Sequence, residues 1–550
     1  MNNKFVKGAI VLIVFNLIGK VIGAVYRIPL ANILGLQGMG EYQLIFPFYS
    51  FLLSVSTSGI PVAMSKLVSE YNSQGRFKDS NKLLKSAFFY LILISGICAA
   101  VIVVLAKYIA KLQGNFNIYI CYYGIAPAIL FVGMLSVLRG YFQGNLNMIP
   151  TAVSGVVEQV GKLIFGLYFA MKLLPFGVSY GVLGATIGIS VSELLAFAVL
   201  FVYYLFSKKK YKNTGAVVCG YRQLSKQLLS VALPITFGGL AYPIVSIIDS
   251  VLVVNLLMKI GFSQADATSL FGLQFGVVDP IINIPIIIAV AISASVLPNI
   301  SAASAKGNNK EVKHLVEKSF QITLCVTLAC AICFIVFGKQ ILSFLYGRTL
   351  SFKELKTATI LLFLGCINLI FLALVQISAG ALQGLGGQKN TAKSIMIGAV
   401  IKIVFTIVLI RFSNINIYGV MISGGVSYLA VFSMNYSEIK KRTTARISNV
   451  YLGVAVQECL VCLIAFASNA VLRLFVGEIL SLFIGGIAAV LCFVLSYYLL
   501  FILKEKTELH STWLIVKSLI EWMHEYFYKK CRIKIKLNFS ANGRLYGYCV

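Results

Sequence analysis

Long apolar segments dominate the pattern of this chain. Fourteen stretches of about 20 or more residues contain very few charged side chains, and an α-helix of that length crosses the hydrocarbon core of a bilayer. The stretches are apolar on all sides, whereas a β-barrel would alternate over ten-residue strands. We therefore predict an all-α polytopic membrane protein with about 14 transmembrane helices. The predicted spans are 8–34, 42–65, 86–111, 118–144, 148–174, 179–206, 228–257, 268–298, 317–346, 356–384, 388–412, 415–437, 449–474 and 478–503.

The polar positions between these spans predict a topology. With the N-terminus in the cytoplasm, 32 of the 47 Lys and Arg residues lie on the cytoplasmic side, 10 lie on the opposite side and five lie within spans. Cytoplasmic loops of membrane proteins are enriched in these residues. We therefore expect a multi-pass protein of the cell membrane with both termini cytoplasmic. The first span is too long for a signal peptide, so we expect it to be retained.

Composition excludes several classes of protein. Hydrophobic residues make up 59% of the chain and charged residues 12%, whereas a soluble domain carries about 25% charged residues. A soluble globular protein and a disordered chain are both excluded. The net charge of +29 would suggest a nucleic-acid partner for a soluble protein, but here the topology accounts for it. The 12 cysteines and three histidines show no metal-ligand spacing, so we expect no metal or cofactor.

An internal repeat predicts two related halves. Residues 140–166 and 380–406 agree at nine of 27 positions, and 72–88 matches 304–320 more weakly. Both copies of each pair lie on the same predicted side of the membrane, so the repeat is parallel. The predicted units are an N-terminal six-helix lobe (1–206), a cytoplasmic linker (207–227), a second six-helix lobe (228–440), transmembrane helices 13 and 14 (441–504) and a basic cytoplasmic tail (505–550).

This arrangement is typical of transporters, which bind substrate between two bundles. The predicted outside loops are short, which leaves no room for an extracellular enzyme domain. The sequence has no P-loop, GxSxG or HExxH motif. We therefore expect a membrane transporter with no catalytic residues, not an enzyme.

The five cations within the spans are the candidate substrate-binding residues, because ionisable groups at membrane depth usually face a cavity or a partner. Lys20 and Arg27 share one helical stripe with Asn16 and Gly23, which predicts one wall of a polar cavity. A local ion pair between Arg27 and Glu41 is an alternative. The five candidates are Lys20, Arg27, Arg139, Lys162 and Lys402.

Arg139 is open to two interpretations. It lies one turn from the cytoplasmic end of its span, so a side chain that extends to the interface is as consistent with its position as a function. Lys20, by contrast, lies too deep in its span to extend easily to the interface. A cavity with several cations favours an anionic, phosphate-bearing substrate, and apolar surroundings suit a lipid tail.

Intramembrane carboxylates and one amide are the candidate coupling or gating residues. Glu158 and Lys162 are spaced i, i+4, which favours a helical ion pair. The repeat aligns Lys402 with Lys162 but Gly398 with Glu158, which predicts an uncompensated cation in the second half. The candidates are Glu41, Glu158, Asp249, Asp279 and Asn283, and Glu193 and Glu458 are secondary ones.

Two blocks carry a family resemblance. The segment GKVIGAVYRIPLANILGLQGMGEYQLIFPFY begins the block 19–72, and FGVVDPIINIPIIIAVAISASVLPNI begins the block 275–312. Both resemble the stage V sporulation protein B and polysaccharide-export flippase family, which is related to lipid II flippases within the multidrug/oligosaccharidyl-lipid/polysaccharide superfamily. The resemblance implies fourteen helices in a V-shaped, two-lobed arrangement. It also implies alternating access that carries an undecaprenyl-pyrophosphate-linked precursor to the outer leaflet.

The resemblance also assigns individual positions. Lys20 matches a cavity arginine of the lipid II flippases, Glu41 matches their first-loop aspartate, and Asp279 matches the aspartate of their Asp-Arg pair. The sequence departs from that pattern at Pro280 and Tyr26, where those flippases have arginines. These departures fit the sporulation or polysaccharide branch better than a housekeeping lipid II flippase.

The C-terminal tail suggests a membrane contact. Its aromatic, aliphatic and basic residues over 510–536 suit a helix on the anionic inner leaflet, and a poorly ordered tail is the alternative.

The leading functional hypothesis is a flippase for lipid-linked peptidoglycan or polysaccharide precursors, with a role in spore cortex synthesis as one option. An ion-coupled multidrug or organic-cation antiporter of the same superfamily is the second. A non-transporting membrane scaffold for cell-wall synthases is the third. The expected partners are a lipid-linked glycan, anionic lipids at the tail and cell-wall synthases, with no nucleic acid.

Overall fold

The computed structural model describes residues 3–57, 59–207 and 219–443, isolated positions between 458 and 493, and the segments 535–539 and 545–549. Up to residue 443, these residues form helices joined by short turns. Nine helical stretches among the described residues are long and apolar enough to cross a membrane. The predicted all-α membrane fold is confirmed for this part of the chain.

The first half contains seven α-helices. Gly35 divides α1 into the first two predicted spans, because its φ of 69° is a conformation that glycine adopts readily. A π-helical turn, Lys162–Gly166, joins α5 to α6 within one span. The helices are α1 (Asn3–Thr57), α2 (Ile60–Ser73), α3 (Phe77–Leu112), α4 (Tyr119–Gly144), α5 (Ile149–Gly161), α6 (Leu167–Leu173) and α7 (Val178–Ser207).

The second half contains eight helices up to Arg442. Leu240 separates the two helices of the seventh span, and a second π-helical turn, Leu273–Val278, precedes Asp279 in the eighth. The helices are α8 (Tyr221–Gly239), α9 (Ala241–Lys259), α10 (Gln264–Gly272), α11 (Asp279–Ala305), α12 (Asn309–Tyr346), α13 (Phe352–Gly384), α14 (Gln388–Ile410) and α15 (Tyr418–Arg442).

Helices therefore occupy all of the first twelve predicted spans. The thirteenth and fourteenth spans lie outside the described residues apart from isolated helical positions, and so does linker segment 208–218. Most of the predicted tail helix over 510–536 also lies outside them. Further along, β1 (Ile535–Phe539) and β2 (Leu545–Cys549) form an antiparallel pair in which Ile535 lies opposite Cys549.

The three largest clusters of buried apolar residues are one shared by both halves and two that are confined mainly to single halves. The shared cluster joins both halves at the predicted outer end, with members such as Ile125, Val182 and Leu361. At the predicted cytoplasmic end, one cluster contains Leu138 and a separate one contains Leu382. The halves thus pack together at one end and have separate cores at the other.

Glycines allow the close approach of the halves at the predicted outer end. A Cβ atom on Gly40 of α1 would lie 2.0 Å from the carbonyl oxygen of Thr268 in α10, and one on Gly272 would lie 2.3 Å from that of Leu36. Backbone atoms cannot yield at such distances, so these positions require glycine for α1 and α10 to touch.

Helix α8 packs against the first half in this conformation. Leu224 and Leu228 belong to the cytoplasmic-end cluster of that half. The hydroxyls of Ser86 and Ser225 are 3.2 Å apart, and the hydroxyl of Tyr71 donates to Gln227. The start of the seventh span is therefore attached to the first half, although the repeat groups this span with the second.

Candidate functional site

Four charged side chains form a network within the first half. Glu158 on α5 accepts hydrogen bonds from Lys162 Nζ at 2.7 Å and from Arg139 Nη2 at 3.0 Å. Lys162 Nζ also lies 2.9 Å from Oε1 of Glu193 on α7. Arg139 Nε donates to the hydroxyl of Ser154 at 3.1 Å. We call Arg139, Glu158, Lys162 and Glu193 the first-half network.

The backbone places Lys162 next to Glu193. A Cβ on Gly188 of α7 would lie 2.4 Å from the backbone of Gly166, so α7 approaches the π-helical turn directly. Lys162 is the first residue of that turn. Such turns occur often at functional sites, because they redirect side chains within a continuous helix.

Helix α1 covers the other side of this region. A Cβ on Gly23 would lie 2.9 Å from the amide oxygen of Gln159, so α1 and α5 are in close contact there. Gln159 Nε2 donates to Glu158 Oε1 at 3.0 Å. The glycine of the predicted polar stripe thus contacts the neighbour of a network residue.

The members of the network differ in accessibility. The exposed fractions of the side chains are 23% for Arg139, 15% for Glu158, 20% for Lys162 and 3% for Glu193. Glu193 is therefore the buried end of the network, and its second oxygen has no hydrogen-bond partner among the described residues. The guanidinium of Arg139 donates hydrogen bonds to Ser154 and Glu158.

Lys402 in the second half forms an ion pair with Asp249 of α9. The prediction of an uncompensated cation was therefore wrong. Gly398, at the position equivalent to Glu158, packs against Val431 and Ser427. The compensating carboxylate comes from another helix, which the repeat alignment does not indicate.

Asp279 and Asn283 are close in sequence but differ in their surroundings. Asp279 follows the second π-helical turn, is half-buried, and lies within electrostatic reach of Lys402, Asp249 and Arg27. Asn283, one turn further along α11, is exposed. Neither side chain forms a hydrogen bond with the described part of the chain.

Lys20 and Arg27 of α1 have no carboxylate partner among the described residues. Lys20 is exposed and Arg27 is half-buried, and neither has an ion pair or hydrogen bond within the described segments. The predicted ion pair between Arg27 and Glu41 is wrong. Glu41 is fully buried and accepts hydrogen bonds from Gln37 at 3.2 Å and from Ser179 at 2.7 Å, because the turn at Gly35 directs it toward α7.

Sequence analysis underestimated or missed several residues of the site. Glu193 was only a secondary candidate, and Ser154 and Gln159 carried no signal, because single polar residues on a helix do not reveal which neighbours they contact. Glu458, the other secondary candidate, is buried, and neither of its carboxylate oxygens has a partner among the described residues.

The comparisons with known proteins agree with this architecture. A family model described as "Polysaccharide biosynthesis protein" matches residues 5–304, which is more than half of the chain. The chain belongs to this family. A second model, MatE, matches residues 234–408. The resemblance stated for the blocks 19–72 and 275–312 is confirmed.

Two relatives from Bacillus subtilis (strain 168) are similar over much of their length. The chain is 28% identical to "Lipid II flippase MurJ" over 80% of this chain and 83% of the relative. It is 27% identical to "Stage V sporulation protein B" over 63% of this chain and 67% of that protein.

Solved structures support the fold. One described as "Lipid II flippase MurJ, inward closed conformation" has a TM-score of 0.66 at 16% identity and covers 89% of this chain and 98% of its own. An inward-facing MATE family multidrug transporter of the MOP superfamily has a TM-score of 0.64 at 14% identity. The match covers 77% of this chain and 95% of that transporter. With the apolar helices, these comparisons identify a multi-pass membrane protein among families of transporters and flippases.

Proposed function

We propose that this family member is a flippase that moves an undecaprenyl-pyrophosphate-linked precursor of peptidoglycan or polysaccharide across the cytoplasmic membrane by alternating access. The observation that carries the proposal is the convergence of charges from both halves. Arg27 of α1 lies within electrostatic reach of Asp279 of α11. Arg27 and Lys20 have no carboxylate partner in the described residues, so they are available to an anionic ligand.

The names of the relatives favour a lipid-linked glycan as substrate. One is a lipid II flippase and another is a sporulation protein, which supports either a vegetative or a spore cortex role. In this proposal, both termini are cytoplasmic, helices 13 and 14 flank two six-helix lobes, and the basic tail contacts anionic lipids and cell-wall synthases. The two halves have separate apolar cores at the predicted cytoplasmic end, where we propose that a substrate enters from the inner leaflet.

The proposal is tested by translocation of a labelled lipid-linked precursor in proteoliposomes. Replacing the two cavity candidates of α1, Lys20→Ala with Arg27→Ala, is expected to reduce the translocation rate at least tenfold. A charge-assisted hydrogen bond contributes about 1.5–3 kcal/mol, and about 1.4 kcal/mol corresponds to a factor of ten. Lys111→Ala removes an exposed cation at the end of α3 and is the matched control.

The outcomes separate the three hypotheses. Precursor translocation that is independent of the protein, or unaffected by the double substitution, would contradict the flippase. A scaffold would retain its cellular function after the cavity substitutions but lose it when 505–550 are deleted.

An ion-coupled antiporter of organic cations is the second candidate. The MatE match and the buried carboxylates favour it, since Asp249 has one oxygen without a partner among the described residues. It predicts efflux of an organic cation driven by a proton or sodium gradient. Asp249→Asn would abolish that efflux.

A further inference from the structure

The hydrogen bonds to Glu158 suggest a more specific role for the first-half network. Its two oxygens accept from three side chains: the ammonium of Lys162, the guanidinium of Arg139 and the amide of Gln159. A guanidinium, an ammonium and an amide are the donors that proteins use to bind phosphate oxygens. Glu158 therefore occupies the position of an anion within a set of anion-binding donors.

The two carboxylates of the network are not equivalent. Glu193 is almost completely buried and forms its ion pair in the described residues with Lys162, whereas Glu158 is more accessible and bridges Lys162 to Arg139. If Glu158 swings away, Glu193 still holds the Lys162 ammonium, and Ser154 still holds the Arg139 guanidinium through its Nε. The donors would keep their positions while their acceptor is exchanged.

The position of Glu158 is compatible with a ligand from the predicted cytoplasmic side. It lies nine residues into α5 from Ile149, which corresponds to about 14 Å along the helix. The halves have separate cores at that end. The partial exposure of Arg139, Glu158 and Lys162 leaves these three side chains within reach of a ligand.

We propose that Glu158 is an internal counter-anion, and that a pyrophosphate group displaces it from Arg139 and Lys162. Glu193, Ser154 and Gln159 are positioning residues in this exchange. Unliganded, the network is neutral, so the cations are not left uncompensated within the membrane. The return of Glu158 to its donors then promotes release of the pyrophosphate group. The second half has Gly398 at the equivalent position, so the exchange belongs to the first half alone.

This inference deepens the proposed flippase function and rests on it for the identity of the substrate. Its test does not depend on translocation. The purified full-length protein in lipid nanodiscs is titrated with farnesyl pyrophosphate, a short isoprenoid pyrophosphate, and binding is followed by calorimetry. Glu158→Gln removes the competing anion, so we expect the affinity to rise about tenfold.

Glu193→Gln is the matched control, because it removes the same unit of charge from the same network. A general electrostatic effect would raise the affinity equally in both variants, whereas displacement predicts a rise for Glu158→Gln and an unchanged or lower affinity for Glu193→Gln. Arg139→Gln and Lys162→Gln should each lower the affinity about tenfold. An equal rise in the two glutamate variants, or no rise in Glu158→Gln, overturns the proposal.

Two further measurements keep the test decisive. Glu158→Asp keeps the charge, but its side chain is too short to bridge both cations. The affinity of this variant for farnesyl pyrophosphate should therefore lie between those of wild type and Glu158→Gln. An affinity outside that interval contradicts the bridging role. In proteoliposomes, Glu158→Gln should translocate the lipid-linked precursor more slowly, because release is slowed. If the binding pattern holds but wild type translocates no precursor, the flippase proposal fails and the anion exchange stands.

Discussion

At the scale of single residues, the ionisable groups in the membrane are largely paired. Of the five cations within the predicted spans, Arg139, Lys162 and Lys402 each contact a carboxylate, whereas Lys20 and Arg27 contact none in the described residues. Moving a charged side chain into the membrane costs several kcal/mol of desolvation. Such a charge is therefore tolerated only next to a partner of opposite charge or in contact with water. Pairing therefore gives these cations a structural role in addition to any contact with substrate.

The ion pair between Lys402 and Asp249 predicts a stability effect. Asp249→Ala removes this carboxylate acceptor of the lysine ammonium, and we expect a loss of roughly 3 kcal/mol in the free energy of unfolding, because removing one partner of a buried ion pair is strongly destabilising. Thermal unfolding in detergent measures the change.

The double variant Asp249→Leu with Lys402→Met is the control for this pair. It removes both charges and retains apolar volume, so its stability should be close to that of wild type. Equal destabilisation in the single and double variants would show that packing, and not the charge pair, determines stability there.

At the scale of elements, the π-helical turn in the fifth span and the approach of α7 together define the first-half network. Gly188 touches the backbone of Gly166, and this contact sets the distance between Lys162 and Glu193. A helix register that is regular throughout would direct Lys162 elsewhere. The packing of the two helix backbones therefore brings the charged side chains close enough to pair.

Gly188→Ala tests this dependence. The added Cβ would meet the backbone 2.4 Å away, so α7 has to move and the protein should lose about 1–3 kcal/mol of stability. Precursor translocation should fall with it.

Gly155→Ala is the comparison for that variant, because a Cβ there has no neighbour within 4 Å. This position lies in α5 itself, where alanine stabilises a helix by up to about 1 kcal/mol relative to glycine. We expect unchanged or raised stability, measured by the same thermal unfolding. If both glycine variants behave alike, close packing at Gly188 is not the cause.

At the scale of the whole molecule, the halves are joined at the predicted outer end. Asn32 of α1 donates to the carbonyl of Leu345 at 3.1 Å and contacts the hydroxyl of Thr349, so the bond bridges the first span and the end of α12. The close glycine contacts of α1 with α10 lie at the same end. Alternating access requires this junction to open.

A cross-link across the junction tests that requirement. Asn32→Cys with Thr349→Cys should form a disulfide in this conformation and reduce precursor translocation at least tenfold, because the outer end can no longer open. Chemical reduction of the disulfide should restore the rate of precursor translocation. The single-cysteine variants are the controls, and full transport by the cross-linked protein would exclude opening at this end.

Most of the membrane architecture was predictable from the sequence, because it depends on local composition. A run such as 86–111 must be a membrane helix wherever it packs, and Gly35 provides a turn where the first two spans meet. The pair Glu158–Lys162 was predictable for the same reason, since its members share one helix turn. Interruptions such as the turn at Leu273–Val278 were not, because π-helical turns depend on packing against neighbouring helices.

The sequence by itself determined the apolar spans, the internal sequence repeat, the uneven distribution of Lys and Arg among the loops and the family. These follow from transfer free energies and from similarity along the chain. Only the tertiary structure decided which charges pair between different helices. Asp249 reaches Lys402 across 153 positions of sequence, and Glu193 reaches Lys162 from another helix. A buried charge without a partner is costly, so buried charges pair with whichever opposite charge lies close in space. No local sequence pattern shows which residues those are.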